Sequence, residues 1–269
     1  MVLYIKIGGH IMNEVNKTLY IPLYGKAYVT KANCLLKDDK AVSIWDTVKF
    51  PLGKKSKSKY LAYYMAMRAR VFDDFVREHI TSNSIIVHLG CGLDSRCERL
   101  SVNNLWIDVD FEDVIKERKL YYTESSNYKM VGCDICSMQW TDVVDTNKHV
   151  IILLEGVSMY LSNEQLQTLF KKISDIFSNC MILMDVYSNF AAKMSKYKNP
   201  VNDVGVSVVY GLDNPLLVAN EQLEFVSEID MTPTSLIEEI NGFDKVIFKK
   251  LYAGKFANSL YHLYNYKSK

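Results

Sequence analysis

Short apolar runs alternate with longer amphipathic stretches through the middle of the chain. The runs are rich in β-branched residues, which is typical of strands buried on both faces of a parallel sheet. Five strands are predicted in this way, at residues 85–89, 105–109, 128–132, 150–154 and 181–184. Because strands alternate with helices, the pattern indicates an α/β fold with right-handed crossovers.

Apolar residues at helical spacing predict the connecting elements. The helical stretches lie at residues 27–36, 41–45, 60–80, 111–124 and 163–177. The third and fifth carry most of their apolar side chains on one face, as a helix packed on a sheet requires. We therefore expect residues 1–80 to form a helical N-terminal cap or lid and residues 81–269 to form the sheet domain.

The alternation becomes irregular after the fifth predicted strand. Residues 188–220 predict an insertion, and residues 224–229 and 246–252 predict two late strands that flank a short helix. The aromatic segment 258–266 has two interpretations, a stacking platform for nucleic acid bases or an aromatic helix packed on the core. The near-neutral net charge favours the helix.

The first predicted strand ends in a glycine turn, G-C-G at Gly90 to Gly92, and a helix start follows at Asp94 or Ser95. Glycine adopts positive φ and lets a ligand approach the backbone, and the first N–H groups of a helix attract polar ligands. Ser95 replaces the third glycine of a dinucleotide fingerprint, and no P-loop motif occurs. The turn therefore suits a ligand with ribose hydroxyls and no phosphate, such as S-adenosylmethionine.

Acidic residues follow four of the predicted strands, namely Asp110, Asp134, Glu155 and Asp185. Ligands of open α/β sheets bind at the carboxyl ends of the strands, so we expect these acids around one crevice. Asp110 follows Gly92 at the offset from which an acid reaches a ribose diol, although Asp108 lies on the same strand face. Two structural alternatives stay open, because Asp110 could cap the next helix and Asp134 could serve a turn.

Composition and charge limit the class of partner. The chain has 269 residues, 49% of them hydrophobic, and a net charge of +1. That charge gives no bulk attraction to nucleic acid or to an anionic membrane, so a small-molecule partner is expected. The sequence contains no apolar run long enough for a transmembrane helix and no signal peptide in its first twelve residues, and a cytoplasmic protein is expected. Its oligomeric state is not determined by the sequence.

Two further motifs have a functional and a plain interpretation. Cys133 and Cys136 form a C-x-x-C, which is either a redox pair, half of a zinc site or two free thiols. Because no second such motif or H-x-x-x-H partner occurs, free thiols and no metal are expected. The basic loop 53–59 is either a solvated linker or the hinge of a lid.

Five ordered blocks resemble the leucine carboxyl methyltransferase-like family, and within it the tetracenomycin-type polyketide O-methyltransferase branch. The blocks are T-L-Y-I-P-L-Y-G-K-A at 18–27, Y-M-A-M-R-A-R-V-F-D at 64–73, V-H-L-G-C-G-L-D-S-R-C-E-R-L at 87–100, D-V-D-F-E-D-V-I-K-E-R-K at 108–119 and E-G-V-S-M-Y-L at 155–161. The resemblance implies a class I S-adenosylmethionine-dependent methyltransferase fold, with a Rossmann-like seven-stranded sheet and S-adenosylmethionine as cofactor.

The resemblance also implies cofactor-binding roles by position, with Gly92 in the glycine turn. Those roles are Arg70 on the methionine carboxylate, Gly90 under the methionine part, Asp110 on the ribose diol, Asp134 on the adenine amino group and Glu155 near the sulfonium or the amine. Arginine suits a carboxylate, and carboxylates accept hydrogen bonds from hydroxyls and amines. Cys91 and Ser95 stand where the family often has alanine and threonine, which both positions should tolerate.

Methyl transfer is an in-line displacement that needs alignment and exclusion of water. A carboxylate acceptor is already ionised, whereas a hydroxyl acceptor needs a base. Candidates for that base are Tyr160, Asp185, Tyr187 and His88. Tyr160 is the predicted catalytic residue because it follows Glu155 on a short turn, and His88 is interpreted as a core histidine of the first strand.

The predicted function is therefore S-adenosylmethionine-dependent O-methylation of a carboxylate or hydroxyl on a small, polyketide-like molecule. Three alternatives stay open: a protein C-terminal carboxyl methyltransferase, a dinucleotide-dependent oxidoreductase, and a protein that binds the cofactor without catalysis.

Overall fold

The structure is a computed structural model that describes residues 16–198 and 208–269. Seven strands form one sheet: β1 Ser84–Leu89, β2 Leu105–Asp110, β3 Tyr128–Gly132, β4 His149–Leu154, β5 Cys180–Tyr187, β6 Leu223–Ile229 and β7 Tyr261–Ser268. They lie in the order β3-β2-β1-β4-β5-β7-β6. The first five are parallel, and β7 runs antiparallel to both of its neighbours. All five early strands are where the sequence predicts them, to within three residues at their ends.

Ten α-helices accompany the sheet in the described residues: α1 Tyr20–Lys31, α2 Asp39–Val48, α3 Lys59–His79, α4 Arg96–Arg99, α5 Glu112–Arg118, α6 Asn163–Ile176, α7 Asn189–Lys198, α8 Thr234–Glu238, α9 Gly242–Tyr252 and α10 Lys255–Asn258. α3 and α6 match their predictions to within a residue. Ser162 and Gln165 form a capping box at the start of α6, which fixes its first residue. None of the helices in these two ranges has the length and apolar character to cross a bilayer.

Two apolar cores cover the faces of the sheet. On one face, Ile86 of β1 and Leu153 of β4 pack with Phe72 of α3. On the other face, Val87 and Ile152 pack with α6. β1 is buried along its whole length, as expected of a central parallel strand.

Two predictions for the C-terminal region are wrong. Residues 246–252 belong to α9 and not to a strand, because Phe248 and Tyr252 are spaced one helical turn apart and pack on the start of α3. Segment 258–266 forms most of β7, not a helix. Its tyrosines alternate across both covered faces, with Tyr261 in one core and Tyr264 in the other, so the strand shows no polar side.

Three further boundaries differ from the predictions. The predicted helix 27–36 is displaced, since α1 already ends at Lys31. α5 ends at Arg118, six residues before the predicted end of helix 111–124. β5 continues to Tyr187, so Asp185 lies inside the strand and not after it.

The N-terminal helices are fixed to the glycine turn by buried ion pairs. Lys26 of α1 lies 3.0 Å from Asp94, and Asp38 at the start of α2 lies 2.8 Å from Arg99. α3 contributes to the core of the sheet, so that core includes part of the expected cap. The division at residue 80 stays a prediction. Residues 1–15 and 199–207, which belong to the expected cap and insertion, lie outside the described residues.

Candidate active site

A cavity of about 850 Å³ lies at the carboxyl ends of β1 to β4, between the sheet and helices α1 and α3. Six of the predicted site residues line it: Gly90, Gly92, Asp110, Asp134, Glu155 and Tyr160. Parallel strands end at the same edge of the sheet, which is why residues far apart in sequence meet here. Arg70 is the predicted site residue that the structure does not bring to this cavity.

The glycine turn needs its glycines for conformation and for space. Gly90 has φ +73° and Gly92 has φ +50°, both in the left-handed region. A Cβ on Gly90 would lie 2.1 Å from Cγ2 of Val157. The backbone N–H groups of Gly90 and Cys91 both donate to the carbonyl of Val109, at 2.7 and 3.1 Å, which holds the turn against β2.

Asp110, and not Asp108, lies at the cavity. Its Oδ2 accepts from the N–H of Gly92 at 2.8 Å, and its Oδ1 accepts from the N–H of Phe111 at 2.8 Å. Burial raises the pKa of Asp110 to about 6, against these two hydrogen bonds, which favour the ionised form. Phe111 and not Asp110 occupies the N-cap position of α5, so the capping alternative does not describe its geometry.

Asp108 precedes Asp110 by two residues on β2, and its buried side chain has a structural role. It accepts hydrogen bonds from the indole N–H of Trp106 at 2.8 Å and from the hydroxyl of Tyr128 at 2.8 Å, and it is paired with Arg118. Arg118 in turn donates to the carbonyl of Gly92 at 3.0 Å. The two acids therefore differ in how deeply they lie in the protein. The alternation of a strand could not predict this difference, because it places both side chains on the same face.

Asp134 is exposed and lines the cavity beside both cysteines of the C-x-x-C. Its side chain accepts from the N–H of Cys136 at 2.9 Å, so the turn alternative describes its present hydrogen bond. Cys133 and Cys136 are free thiols, and burial raises the pKa of each. No group of three His, Cys, Asp or Glu suited to a metal occurs in the described parts of the chain. That the protein needs no metal stays a prediction.

Glu155 lies between two buried arginines at the end of β4. Arg68 Nε donates to Glu155 Oε1 at 3.0 Å, and Arg96 donates to its other oxygen. Burial opposes ionisation of this carboxyl, but the guanidinium groups of Arg96 and Arg68 lower the pKa of Glu155 to about 2. The group is therefore a fixed carboxylate at neutral pH.

Arg70 faces away from the cavity, on the other side of α3. It donates to the carbonyl of Leu35 and lies 3.3 Å from Glu239 at the surface. Arg68 occupies the cavity instead, where its Nη1 donates to Asp185 at 2.9 Å and to the hydroxyl of Tyr261 at 2.8 Å. Two residues along a helix are separated by about 200° around its axis, so Arg68 and Arg70 lie on different sides of α3 and Arg70 does not reach this cavity.

The helical period contains the signal that would have selected Arg68. Leu61, Tyr64 and Met65 line the cavity together with Arg68, at the spacing of one helix face. Lys26 is a second cavity residue that the sequence analysis missed, and it is held by Asp94. Both lie inside the resembling blocks, where no role was assigned to them.

Three of the four proposed bases, Tyr160, Tyr187 and His88, line the cavity. Tyr160 lines the cavity, but burial raises the pKa of its hydroxyl above the usual value, so it stays protonated. Asp185 is buried beneath the cavity, paired with Arg68 and Tyr261. His88 lines the cavity from β1, with its Nδ1 3.6 Å from Asp108.

The cavity has two chemically different halves. The half beside the glycine turn carries the charged groups described above. The other half is formed by α3, β5, α7, α9, α10 and β7, and its apolar and tyrosine side chains are Tyr64, Met65, Tyr187, Phe190, Met194, Leu251, Tyr252, Phe256, Leu260 and Tyr261. A polar ligand fits the first half, and an apolar molecule whose end contacts that ligand fits the second.

A sequence model described as leucine carboxyl methyltransferase matches residues 25–174, more than half of the chain. The chain belongs to this family. It is 28% identical over 155 residues to the tetracenomycin polyketide synthesis O-methyltransferase TcmP of Streptomyces glaucescens. The aligned region covers 56% of this chain and 57% of that protein. It is 30% identical over 179 residues to the S-adenosyl-L-methionine-dependent methyltransferase dpfgK of Gibberella zeae, which covers 60% of each. The match thus spans little more than half the length of either relative.

A solved structure extends the likeness to the whole fold. The N-methyltransferase NodS of Bradyrhizobium japonicum, solved with S-adenosyl-L-homocysteine, has a TM-score of 0.51 at 12% identity and covers 95% of this chain and 99% of that one. At that identity the likeness speaks for the fold alone. The predicted family and the class I methyltransferase fold are both confirmed.

Proposed function

We propose that the protein is an S-adenosylmethionine-dependent O-methyltransferase that acts on a carboxylate or hydroxyl of a small molecule. The main support is the hydrogen bond from Gly92 to Asp110 at the end of β2, which presents a cavity-lining carboxylate beside a glycine turn. The name of TcmP supports O-methylation and a polyketide-like acceptor, and the name of dpfgK supports dependence on S-adenosylmethionine. S-adenosylmethionine, when bound, supplies the methyl group.

Residues of the charged half fit the parts of this cofactor. Asp110 is suited to accept from the ribose hydroxyls, and Asp134 from the adenine amino group. Glu155 is suited to the positively charged amine, because it is a carboxylate at neutral pH. We assign the methionine carboxylate to Arg68, with Lys26 nearby on α1, in place of Arg70.

The apolar half is proposed to hold the acceptor, and its chemistry favours a carboxylate as the group methylated. Burial raises the hydroxyl pKa of Tyr64, Tyr160 and Tyr261 above the usual value, so these groups can donate hydrogen bonds but do not remove a proton. A carboxylate arrives ionised and needs no base. The enclosing aromatic side chains exclude water from the reacting atoms.

Two measurements test this function. Calorimetry should show binding of S-adenosylhomocysteine to the folded protein and no binding of NAD. A labelled methyl group should then pass to one or more members of a panel of aromatic and aliphatic acids, as an ester that mild alkali cleaves. Absence of S-adenosylhomocysteine binding would overturn the proposal, whereas alkali-stable products would show that a hydroxyl is methylated.

The affinity for S-adenosylhomocysteine should fall at acidic pH because of Asp110. Its raised pKa of about 6 means that the carboxylate takes up a proton as the pH falls through that value. The protonated group has lost hydrogen-bond acceptors for the ribose, so we expect affinity at pH 5 to be about tenfold lower than at pH 7. Asp110→Asn should bind about 1–3 kcal/mol more weakly at pH 7, with a flat pH profile. An equally steep profile in Asp110→Asn would assign the titration to another group.

Asp110 also makes the free energy of unfolding depend on pH, with the opposite sign to a carboxylate in an ion pair. The pKa of Asp110 is higher in the folded than in the unfolded protein, so folding disfavours its ionised form. Its contribution to the free energy of unfolding therefore declines as the pH rises from about 4 to about 6. Urea unfolding of the apo protein and of Asp110→Asn across this range should show a decline that the variant lacks.

The lid, the cytoplasmic location and the absence of a nucleic-acid partner stay predictions. Residues 54–57 of the basic loop 53–59 form a turn in which Ser56 is buried, and the last residue of the loop, Lys59, begins α3 and lies 2.8 Å from Asp244 of α9. Limited proteolysis that is fast in this loop without ligand and slower with S-adenosylhomocysteine would support a lid. Equal cleavage in both states would leave the loop a linker.

A further inference from the structure

Large apolar side chains stand exposed on helices α7, α9 and α10. We call the following six side chains the apolar rim: Phe190, Met194, Phe243, Val246, Leu251 and Phe256. Their exposed fractions lie between 52% and 74%. Four of them also line the cavity, and the rings of Phe190 and Phe256 lie 6.4 Å apart, so α7 and α10 approach each other. Exposed apolar groups that are clustered in this way mark a contact surface.

The exposure on α9 results from how the helix is anchored. Its inner side packs on the start of α3, with the ring of Phe248 6.2 Å from that of Tyr63. Asp244 accepts from Lys59 at 2.8 Å and from the hydroxyl of Tyr63 at 3.2 Å, which fixes the rotation of the helix. Phe243 and Val246 therefore face outward, where a surface helix of a globular protein ordinarily carries polar residues.

The rim is flanked by lysines that form no close ion pair in the described part of the chain. Lys249, Lys250 and Lys255 are exposed, and none of them takes part in an ion pair of 4.0 Å or less with another described residue. The neighbouring acids are already engaged: Glu238 lies 2.7 Å from Lys245, Glu239 3.3 Å from Arg70 and Asp244 2.8 Å from Lys59. The surface is thus locally basic although the whole chain carries only +1.

We infer that the apolar rim and these lysines dock the protein on the surface of an anionic lipid membrane. Aromatic and aliphatic side chains that enter the interface, together with lysines that meet anionic headgroups, are the combination by which helices bind in the plane of a bilayer. Four side chains of the rim line the cavity. A protein partner seated there would seal the cavity, whereas a fluid bilayer lets an apolar molecule pass into it.

This inference revises the expectation of no membrane partner. That expectation rested on the net charge, which reports the sum and not the distribution of charges. The docking does not depend on the reaction catalysed, although it would give an apolar acceptor a route into the cavity. Failure of docking and failure of cofactor binding are therefore separate results.

Flotation with lipid vesicles tests the inference on the full chain. We expect the protein to float with vesicles of equal parts phosphatidylcholine and phosphatidylglycerol, and much less with phosphatidylcholine alone. Phe243→Ser/Val246→Ser should reduce the partitioning about tenfold, because two apolar groups no longer enter the interface. Lys249→Glu/Lys250→Glu should remove the preference for the anionic vesicles.

The matched control is Leu120→Ser, which changes a leucine that is 62% exposed just after α5, next to β3 at the opposite edge of the sheet. It should float like the unchanged protein, and all variants should bind S-adenosylhomocysteine, which reports folding. No flotation of the unchanged protein, or equal flotation of the Phe243→Ser/Val246→Ser variant, would overturn the inference. A dimer in light scattering that this variant dissociates, without any vesicle binding, would instead make the rim an interface between two copies.

Discussion

Arg68→Ala is expected to abolish measurable binding of S-adenosylhomocysteine and to lower the free energy of unfolding by about 3–5 kcal/mol. The reason is that Arg68 neutralises two buried carboxylates, Glu155 at 3.0 Å and Asp185 at 2.9 Å. Its removal leaves both charges inside the protein with one fewer cation, and it also removes the proposed partner of the methionine carboxylate. Isothermal calorimetry and urea unfolding measure the two effects separately.

Arg70→Ala is the matched control, because the same residue type is truncated two positions along the same helix. Arg70 makes a surface ion pair with Glu239, which contributes about 1 kcal/mol or less. We expect this variant to keep its cofactor affinity. Loss of binding in Arg70→Ala together with normal binding in Arg68→Ala would restore the original assignment.

Arg68→Lys separates charge from geometry in case the alanine variant does not fold. Lysine keeps the positive charge but cannot reproduce the fork with which arginine contacts Glu155, Asp185 and Tyr261 at once. The variant should fold with most of its stability and bind S-adenosylhomocysteine clearly more weakly. Unchanged affinity in a folded Arg68→Lys protein would show that the guanidinium does not hold the cofactor.

The central part of the fold could be predicted because its signals are local. β1 and β4 are nearly continuous apolar runs, and α6 begins with the capping pair Ser162 and Gln165. Such features depend on a few neighbouring residues and on period alone. The expectation of a seven-stranded sheet followed from the family resemblance and not from these patterns.

The C-terminal errors have a tertiary cause. β7 is enclosed by β5, β6 and both cores, so Tyr261 and Tyr264 are buried on opposite faces and the alternation of polar and apolar residues is lost. α9 shows the reverse, since its exposed Phe243 and Val246 obscure the polar face by which a surface helix is recognised. Neither pattern identifies its element without knowledge of what covers it.

The sequence predicts the part of the candidate site that depends on the backbone of the glycine turn and the strand ends. It does not predict the part that depends on which side chains contact each other. Gly90, Gly92 and Asp110 follow from strand ends and turn chemistry. The choice between Arg68 and Arg70 depends on which side of α3 faces the sheet, and Lys26 depends on how α1 packs on the glycine turn. These are long-range contacts that a single sequence does not contain.

Gly90→Ala is expected to lower the free energy of unfolding by about 2–4 kcal/mol and to weaken S-adenosylhomocysteine binding strongly. Two effects add at this position. A residue with a side chain is strained at φ +73°, and its Cβ would lie 2.1 Å from Cγ2 of Val157. Val157 follows directly on the turn after β4 and lines the same cavity, so any shift that relieves the clash deforms the proposed cofactor site.

Gly242→Ala isolates the backbone effect. Gly242 also has positive φ, at +58°, but nothing lies within 4 Å of an added Cβ. This variant should lose only about 1–2 kcal/mol of the free energy of unfolding and keep its cofactor affinity. The difference between the two glycine variants then measures the crowding at the turn.

The double variant Gly90→Ala/Val157→Ala tests whether Val157 causes that crowding. Truncation of Val157 removes Cγ2, so the added methyl group gains the space it needs, and the double variant should be more stable than Gly90→Ala alone. The double variant should lose about 1–2 kcal/mol less of its free energy of unfolding than the sum of the two single losses, because the two residues are in direct contact. Additive losses in stability would mean that the strain lies in the backbone alone, and recovered stability without recovered binding of S-adenosylhomocysteine would show that the turn itself must approach the ligand.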